Sequence, residues 1–219
     1  MRCDHPDVEK FIEAKRDPLR LRMFNMSVLI TDDFMKAVKN NERFDLVFNG
    51  KVYKTINAKS LWDKIMSSTY HYAEPGVIFI DRINEMNNLN YCEIIACTNP
   101  CGEQPLPPYG ACLLGSVNMV ALLNDDYTMN TRSLESTVRL AVRMMDNVVD
   151  VSKFPLPAQE EEAKNKRRIG LGVTGLADAL ALGGLVYGSD EAVEQTSKWM
   201  KAIAVAAYQA SIDLAKEKG

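Results

Sequence analysis

The apolar positions of this chain change period repeatedly, and the changes mark its elements. Val8, Phe11 and Ile12 share one helical face, so residues 5–14 are expected to be a helix with Pro6 in its first turn. A loop follows over Lys15–Arg22, charged and broken by Pro18. The apolar, β-branched run from Phe24 to Ile30 predicts a buried strand, and Thr31-Asp32-Asp33 predicts the cap of a helix through Val38. Residues 44–56 predict a hairpin about Asn49-Gly50. Ser60 is placed to cap a helix to about His71, with Leu61, Ile65 and Met66 inward. Pro75-Gly76 bounds the apolar run Val77–Asp81, a core strand. Asp81, at its end, suits a cap or turn better than a site.

The second half repeats the alternation. Residues 116–123 read as a strand or short helix. Apolar residues at 134, 138, 141, 142, 145, 148 and 149 predict a helix over 133–151. Pro155 and Pro157 mark a turn, 160–168 reads as a charge-rich connector, and about 190–217 as a last helix. Alternating strands and helices predict an α/β fold, with a barrel of parallel strands favoured. Gly170-x-Gly172-x-x-Gly175 matches the dinucleotide fingerprint in its letters, and Asp190 or Glu191 would fill the acidic slot. A nicotinamide dehydrogenase is therefore one reading. The other is that the glycines let a strand and a helix pack closely.

Composition narrows the class. Apolar residues make up 47% and charged residues 25% of 219 residues, ordinary values for a globular chain with one sizeable core. A net charge of −3, with no basic stripe carrying interleaved aromatics, argues against a nucleic-acid partner. No apolar run reaches the length of a membrane span. There is no signal-peptide pattern, and cysteines kept as thiols suit a reducing cytoplasm.

The chemistry concentrates in Thr98-Asn99-Pro100-Cys101-Gly102-Glu103-Gln104-Pro105-Leu106 and the following Gly110-Ala111-Cys112-Leu113-Leu114-Gly115-Ser116. In an extended or looped segment Asn99, Cys101 and Glu103, at i, i+2 and i+4, point the same way and can meet one small substrate. Four of the five cysteines lie between Cys92 and Cys112, so zinc is the obvious competitor. Zinc sites, however, show two close pairs, and Cys112 has no near companion; His5 and His71 sit at no ligand-like spacing. No metal is therefore expected. A lone cysteine such as Cys3 is expected in the core or at the surface without a reactive role.

At these residues the chain resembles the catalytic subunit of ribonucleotide reductases, most closely the adenosylcobalamin-dependent branch. Asn99–Leu106 resembles that family's finger loop and Ala111–Asn118 the strand after it. Arg2–Ile12 with Phe24–Val28 resembles the segment around its effector-responsive loop, and Arg168–Asp178 a later barrel strand and its helix. The resemblance implies that residues 1–219 are part of a ten-stranded α/β barrel, with Cys101 at the tip of a loop threaded into its centre. It implies a thiyl radical on Cys101 that removes the 3′-hydrogen of a ribonucleotide and Glu103 as general base on the 3′-hydroxyl. It also implies that Asn99 holds the ribose hydroxyls and that Cys112 is one of two reducing thiols that end as a disulfide. Lys15, Arg16, Arg20 and Arg22 fall on the effector loop, where they would meet nucleotide phosphate or base edges; a solvated basic turn is the plain alternative.

The same resemblance implies adenosylcobalamin as radical source, with a di-metal partner subunit as the alternative. It also implies a nucleotide effector, a thioredoxin-like reductant acting through a tail dithiol, and a homodimer at full length. The partner of Cys112, the later barrel strands, the phosphate-binding segment and the tail have no counterpart in these residues, so the chain reads as a central piece. An isolated piece is then expected to be inactive and poorly soluble, with open strand edges and exposed apolar faces. The competing class is a non-catalytic fragment that binds nucleotide or a subunit without chemistry.

Overall fold

The computed structural model describes residues 1–17 and 19–218. The chain divides into two compact units, Met1–Pro108 and Tyr109–Gly219.

In the first unit, α1 is Val8–Glu13, shorter than the expected 5–14. His5 Nδ1 accepts the Asp7 N–H at 3.1 Å, which makes the Pro6 region a turn ahead of the helix. The described residues of Lys15–Arg22 carry no helix or strand, as expected; Pro18 lies outside the described residues. Strand β1 is Ser27–Ile30, and Phe24 at the start of the predicted run is exposed. Thr31 Oγ1 caps α2 (Asp32–Asn40) by accepting the Phe34 N–H at 3.2 Å. Strands β2 (Arg43–Phe48) and β3 (Lys51–Asn57) form the antiparallel hairpin, with Asn49 and Gly50 both at positive φ. Helix α3 is Ala58–Tyr72, and its cap is Asn57 rather than Ser60: Asn57 Oδ1 accepts the Ser60 N–H at 2.9 Å.

Strand β4 (Gly76–Phe79) pairs in parallel with β1, Val28 opposite Val77. Asp81 sits in the first turn of α4 (Ile80–Glu85), where Oδ2 accepts the Asp32 N–H at 2.8 Å. The core gathers Cys3, Val8, Ile12, Val28, Ile30, Phe34, Leu46, Leu61 and Ile65 from α1, β1, α2, β2 and α3. Cys3 is fully buried, its thiol 3.7 Å from Thr31 Oγ1, which makes it a core thiol. The unit ends in two short antiparallel strands, β5 (Cys97–Thr98) and β6 (Pro105–Leu106).

The second unit opens with β7 (Leu113–Asn118) and a short 3-10 turn, Val120–Leu122, so the 116–123 region is a strand and then a helical turn. Asn130 caps α5 (Thr131–Val151) by accepting the Ser133 N–H at 2.9 Å. The expected connector 160–168 is mostly helix α6 (Pro157–Lys166): Pro157 occupies its first turn, and Glu160–Lys164 and Glu162–Lys166 pair along its surface. Strand β8 (Ile169–Thr174) runs parallel to β7, Ser116 opposite Gly172, and is followed by α7 (Leu176–Leu182) and α8 (Asp190–Lys218). Helices α5 and α8 run in the same direction, since Arg139–Asp213 and Arg143–Glu217 pair at one constant offset. Val117, Met119, Leu134, Val138, Leu180, Trp199 and Ile203 fill the core between sheet and helices.

The fold is thus mixed α/β with two parallel strand pairs, each joined by helical crossovers. No closed barrel forms among the described residues. The strands stay incompletely covered: Phe79 at the end of β4 is 43% exposed and Leu114 in β7 is 58% exposed.

Candidate active site

The antiparallel pairing of β5 and β6 turns Asn99–Gln104 into the tip of a hairpin. Asn99 N–H donates to the Gln104 carbonyl at 3.1 Å, and Gly102 N–H donates to the Asn99 carbonyl at 3.1 Å. The order Asn-Pro-x-Gly suits that turn: Asn at the first position, Pro at the second with its φ preset, Gly at the fourth. Gly102 takes φ +87°, which a side chain would strain.

Asn99 and Glu103 meet across the turn. Asn99 Nδ2 donates to Glu103 Oε1 at 2.6 Å, and Asn99 Oδ1 accepts the Gln104 N–H at 2.9 Å. The two side chains come together because the chain reverses, which is the looped alternative of the two the sequence allowed. Asn99 uses one donor and one acceptor inside the hairpin and keeps its second N–H and second lone pair for a ligand. Cys101 sits between them in sequence, its thiol exposed. A carboxylate oriented by an amide, next to an accessible thiol, can take a proton from a substrate hydroxyl while the sulfur reaches a neighbouring carbon.

A cavity of about 550 Å³ opens beside the hairpin in the same unit. Its walls include Leu21, Met23 and Phe24 from the loop after α1, and Thr98, Asn99 and Pro100 from the hairpin. Neither Cys101 nor Glu103 lines it.

Cys112 belongs to the second unit, just before β7. It is partly buried and borders a cavity of about 60 Å³ with Val149, Ser152, Phe154 and Arg168. Burial pushes its thiol above the usual cysteine range, and the Arg168 charge pulls it partway back. The glycines of 170–175 serve packing. A Cβ on Gly170 would stand 2.6 Å from Leu114 Cδ2 on the paired strand. Gly175 takes φ +69° beside Asn118 and Val120. The first glycine lies within a strand that pairs in parallel with β7, which leaves the dinucleotide reading without support.

Of the four cations on the loop, two are already paired. Lys15 forms an ion pair with Glu74 and donates to the Phe24 carbonyl, and Arg16 lies 3.2 Å from Glu13. Arg20 and Arg22 are exposed. The part played by Glu74 was missed by reading the sequence; its one local signal was a carboxylate fixed beside Pro75-Gly76. Among the described residues no three His, Cys, Asp or Glu side chains gather as a metal site, and no helix is long and apolar enough to cross a membrane.

Known proteins bear out the resemblance. The family profile described as "Ribonucleotide reductase, barrel domain" matches residues 1–219. A vitamin B12-dependent ribonucleoside-diphosphate reductase of Mycobacterium tuberculosis is 42% identical over 98% of this chain and 31% of its own length. The protein of the same name from Thermoplasma acidophilum is 40% identical over 99% of this chain and 28% of its own length. A ribonucleoside-diphosphate reductase subunit alpha of Chlamydia pneumoniae is 34% identical over 85% of this chain and 18% of its own length. The chain therefore spans about three tenths of the length of its B12-dependent relatives. With a profile match over its whole length and the Asn99–Glu103 hairpin in place, the chain belongs to the ribonucleotide reductase family, in the region of its barrel domain.

Proposed function

We propose that this chain is the radical-bearing part of a ribonucleotide reductase, replacing the 2′-hydroxyl of a ribonucleotide by hydrogen to make DNA precursors. The observation that carries the reading is the contact between Asn99 and Glu103 across a turn that presents the Cys101 thiol to solvent. In this reading Cys101, as a thiyl, first removes the 3′-hydrogen; Glu103 then takes the 3′-hydroxyl proton while the 2′-hydroxyl, protonated by the reducing thiol pair, leaves as water, and that pair ends as a disulfide. Asn99 holds Glu103 at 2.6 Å and offers its remaining N–H to the ribose. The role of reducing thiol falls to Cys112 by resemblance. A thiol kept protonated by burial suits it, because the step needs S–H as a hydrogen donor.

The names of the B12-dependent relatives favour adenosylcobalamin over a di-metal partner subunit as radical source. An exposed thiol at a hairpin tip fits an external source of either kind. Adenosylcobalamin would supply the one-electron oxidising equivalent that turns the Cys101 thiol into a thiyl. None of the described residues is assigned to holding it. The two parallel pairs are read as parts of the ten-stranded barrel, residues 1–219 as a portion of that one domain, and the hairpin as its finger loop. Arg20 and Arg22 are the loop cations left for a nucleotide effector. A thioredoxin-like reductant, a homodimer and a cytoplasmic setting complete the reading.

The test is Cys101→Ser in the full-length protein that contains this chain. Turnover should fall by a factor of about 10³ or more, while ribonucleotide binding, followed by equilibrium dialysis, persists. Undiminished turnover would sink the reading. Binding without turnover in both forms would favour a non-catalytic nucleotide-binding protein.

A further inference from the structure

The loop between α1 and β1 is tied at both ends to one carboxylate. Glu74 Oε1 accepts the Met26 N–H at 3.0 Å, at the end of the loop. Glu74 Oε2 pairs with Lys15 at its start, and the Lys15 ammonium also donates to the Phe24 carbonyl. The pair is shielded, with side chains 14% and 23% exposed, unlike the open Lys59–Asp63 pair on α3. Water competes weakly for a pair so placed, and breaking one partner leaves the other poorly solvated.

Glu74 itself stands on a firm mount. The Ser68 hydroxyl lies 3.0 Å from the Ile12 carbonyl and 3.1 Å from the Glu74 carbonyl, joining α1, α3 and the turn. Thr69 Oγ1 donates to the Pro75 carbonyl at 2.6 Å, and Pro75 is fully buried. Beyond the neck the described loop residues 19–24 are exposed. Leu21, Met23 and Phe24 nevertheless form one wall of the cavity whose other wall holds Thr98, Asn99 and Pro100. A fixed neck and an open body make the loop's position depend on what holds the neck.

We propose that Glu74 is a positioning residue: by clasping Lys15 and Met26 together it sets where residues 19–24 stand against Asn99, and so which ribonucleotides the cavity admits. The selectivity half rests on the reading of the Asn99 hairpin as a ribonucleotide site. The clasp half does not. Lys15 is accordingly an internal partner of Glu74 and not a contact for a nucleotide.

The experiment uses the full-length protein with Glu74→Gln, which can still accept the Met26 N–H but loses the charge that holds Lys15, and with Lys15→Met. Hydrogen exchange of residues 19–24 should quicken by about tenfold in both variants, with α3 and β4 as the check on folding. In Glu74→Gln the ratio of kcat/KM between the best and worst of the four ribonucleotides should shift by about threefold or more. Its kcat on the best substrate should stay within about twofold. Unchanged exchange in both variants overturns the clasp, and faster exchange with an unchanged ratio overturns its part in selection. If the unaltered protein turns over no ribonucleotide at all, the reductase reading fails instead, and exchange at 19–24 still judges the clasp.

Discussion

Cys101 and Cys112 are both cysteines in short loops before or within strand pairings, yet their surroundings assign them different chemistry. Cys101 stands exposed at a turn whose neighbours are an amide and a carboxylate. Cys112 is partly buried among Val149, Phe154 and Ala163, with Arg168 as the nearby charge. Desolvation disfavours its thiolate more than Arg168 favours it, so its folded pKa lies above that of an ordinary thiol. Alkylation of Cys112, followed by peptide mass spectrometry against pH, should therefore have its midpoint above that of free cysteine, about 8.5. Arg168→Met should move the midpoint further up. A midpoint at or below the free value would contradict the environment described.

At the scale of elements, close approach and charge pairing decide which segments meet. Gly175 joins β8 to α7 at φ +69°, and a Cβ there would stand 3.0 Å from Asn118 Oδ1 and 3.1 Å from Val120 Cγ2. Gly175→Ala should cost about 1–3 kcal/mol, read as a shift in the urea midpoint; an unchanged midpoint would mean that the turn relaxes freely. Arg167, at the C-terminus of α6, donates to Asp146 Oδ1 at 2.6 Å and to Asp150 Oδ1 at 2.7 Å on α5, and Lys218 of α8 joins both carboxylates. Arg167 first, then Lys218, holds both carboxyls below the usual aspartate range. Depressed folded pKa values give stability that is present above the unfolded pKa, about 4. It is lost as pH falls through the folded values. Thermal melts should show the unaltered protein losing more stability than Arg167→Ala as pH drops from about 5 to about 3. Parallel pH dependence in the two forms would assign the acid loss to other carboxylates.

At the scale of the whole molecule, the two parallel pairs and the exposed apolar side chains set the limits of what residues 1–219 do alone. Strands of parallel sheets are ordinarily covered on both faces. Here Phe79, Leu114, Ile94 and Met23 are open to solvent. Residues 1–219 produced by themselves should bind a hydrophobic dye, scatter light at low micromolar concentration and show no multiple turnover of a ribonucleotide. Sustained turnover by this piece would refute the proposal that it is a partial barrel.

What was legible in the sequence is what local chemistry decides. Thr31 capping α2, the Asn49-Gly50 hairpin and the apolar stripe of α5 each rest on neighbours within a few residues, where periodicity and turn propensity act without help. The letters Asn99, Pro100, Cys101, Gly102 and Glu103 likewise marked out the proposed site, because few structural needs call for that set. Other features depended on groups far apart in the chain. Pairing of β5 with β6, eight residues on, decided for a hairpin over an extended segment and brought Asn99 to Glu103 by reversal. Helix α6 forms where charge alone suggested a connector: two i,i+4 ion pairs support it on different faces, and Arg167 anchors its end to α5. Lys15 pairs with Glu74, fifty-nine residues on, whose position in space only the packing of α3 against α1 decides. Periodicity and local turn chemistry are written residue by residue, whereas a long-range ion pair depends on where two distant segments come to rest.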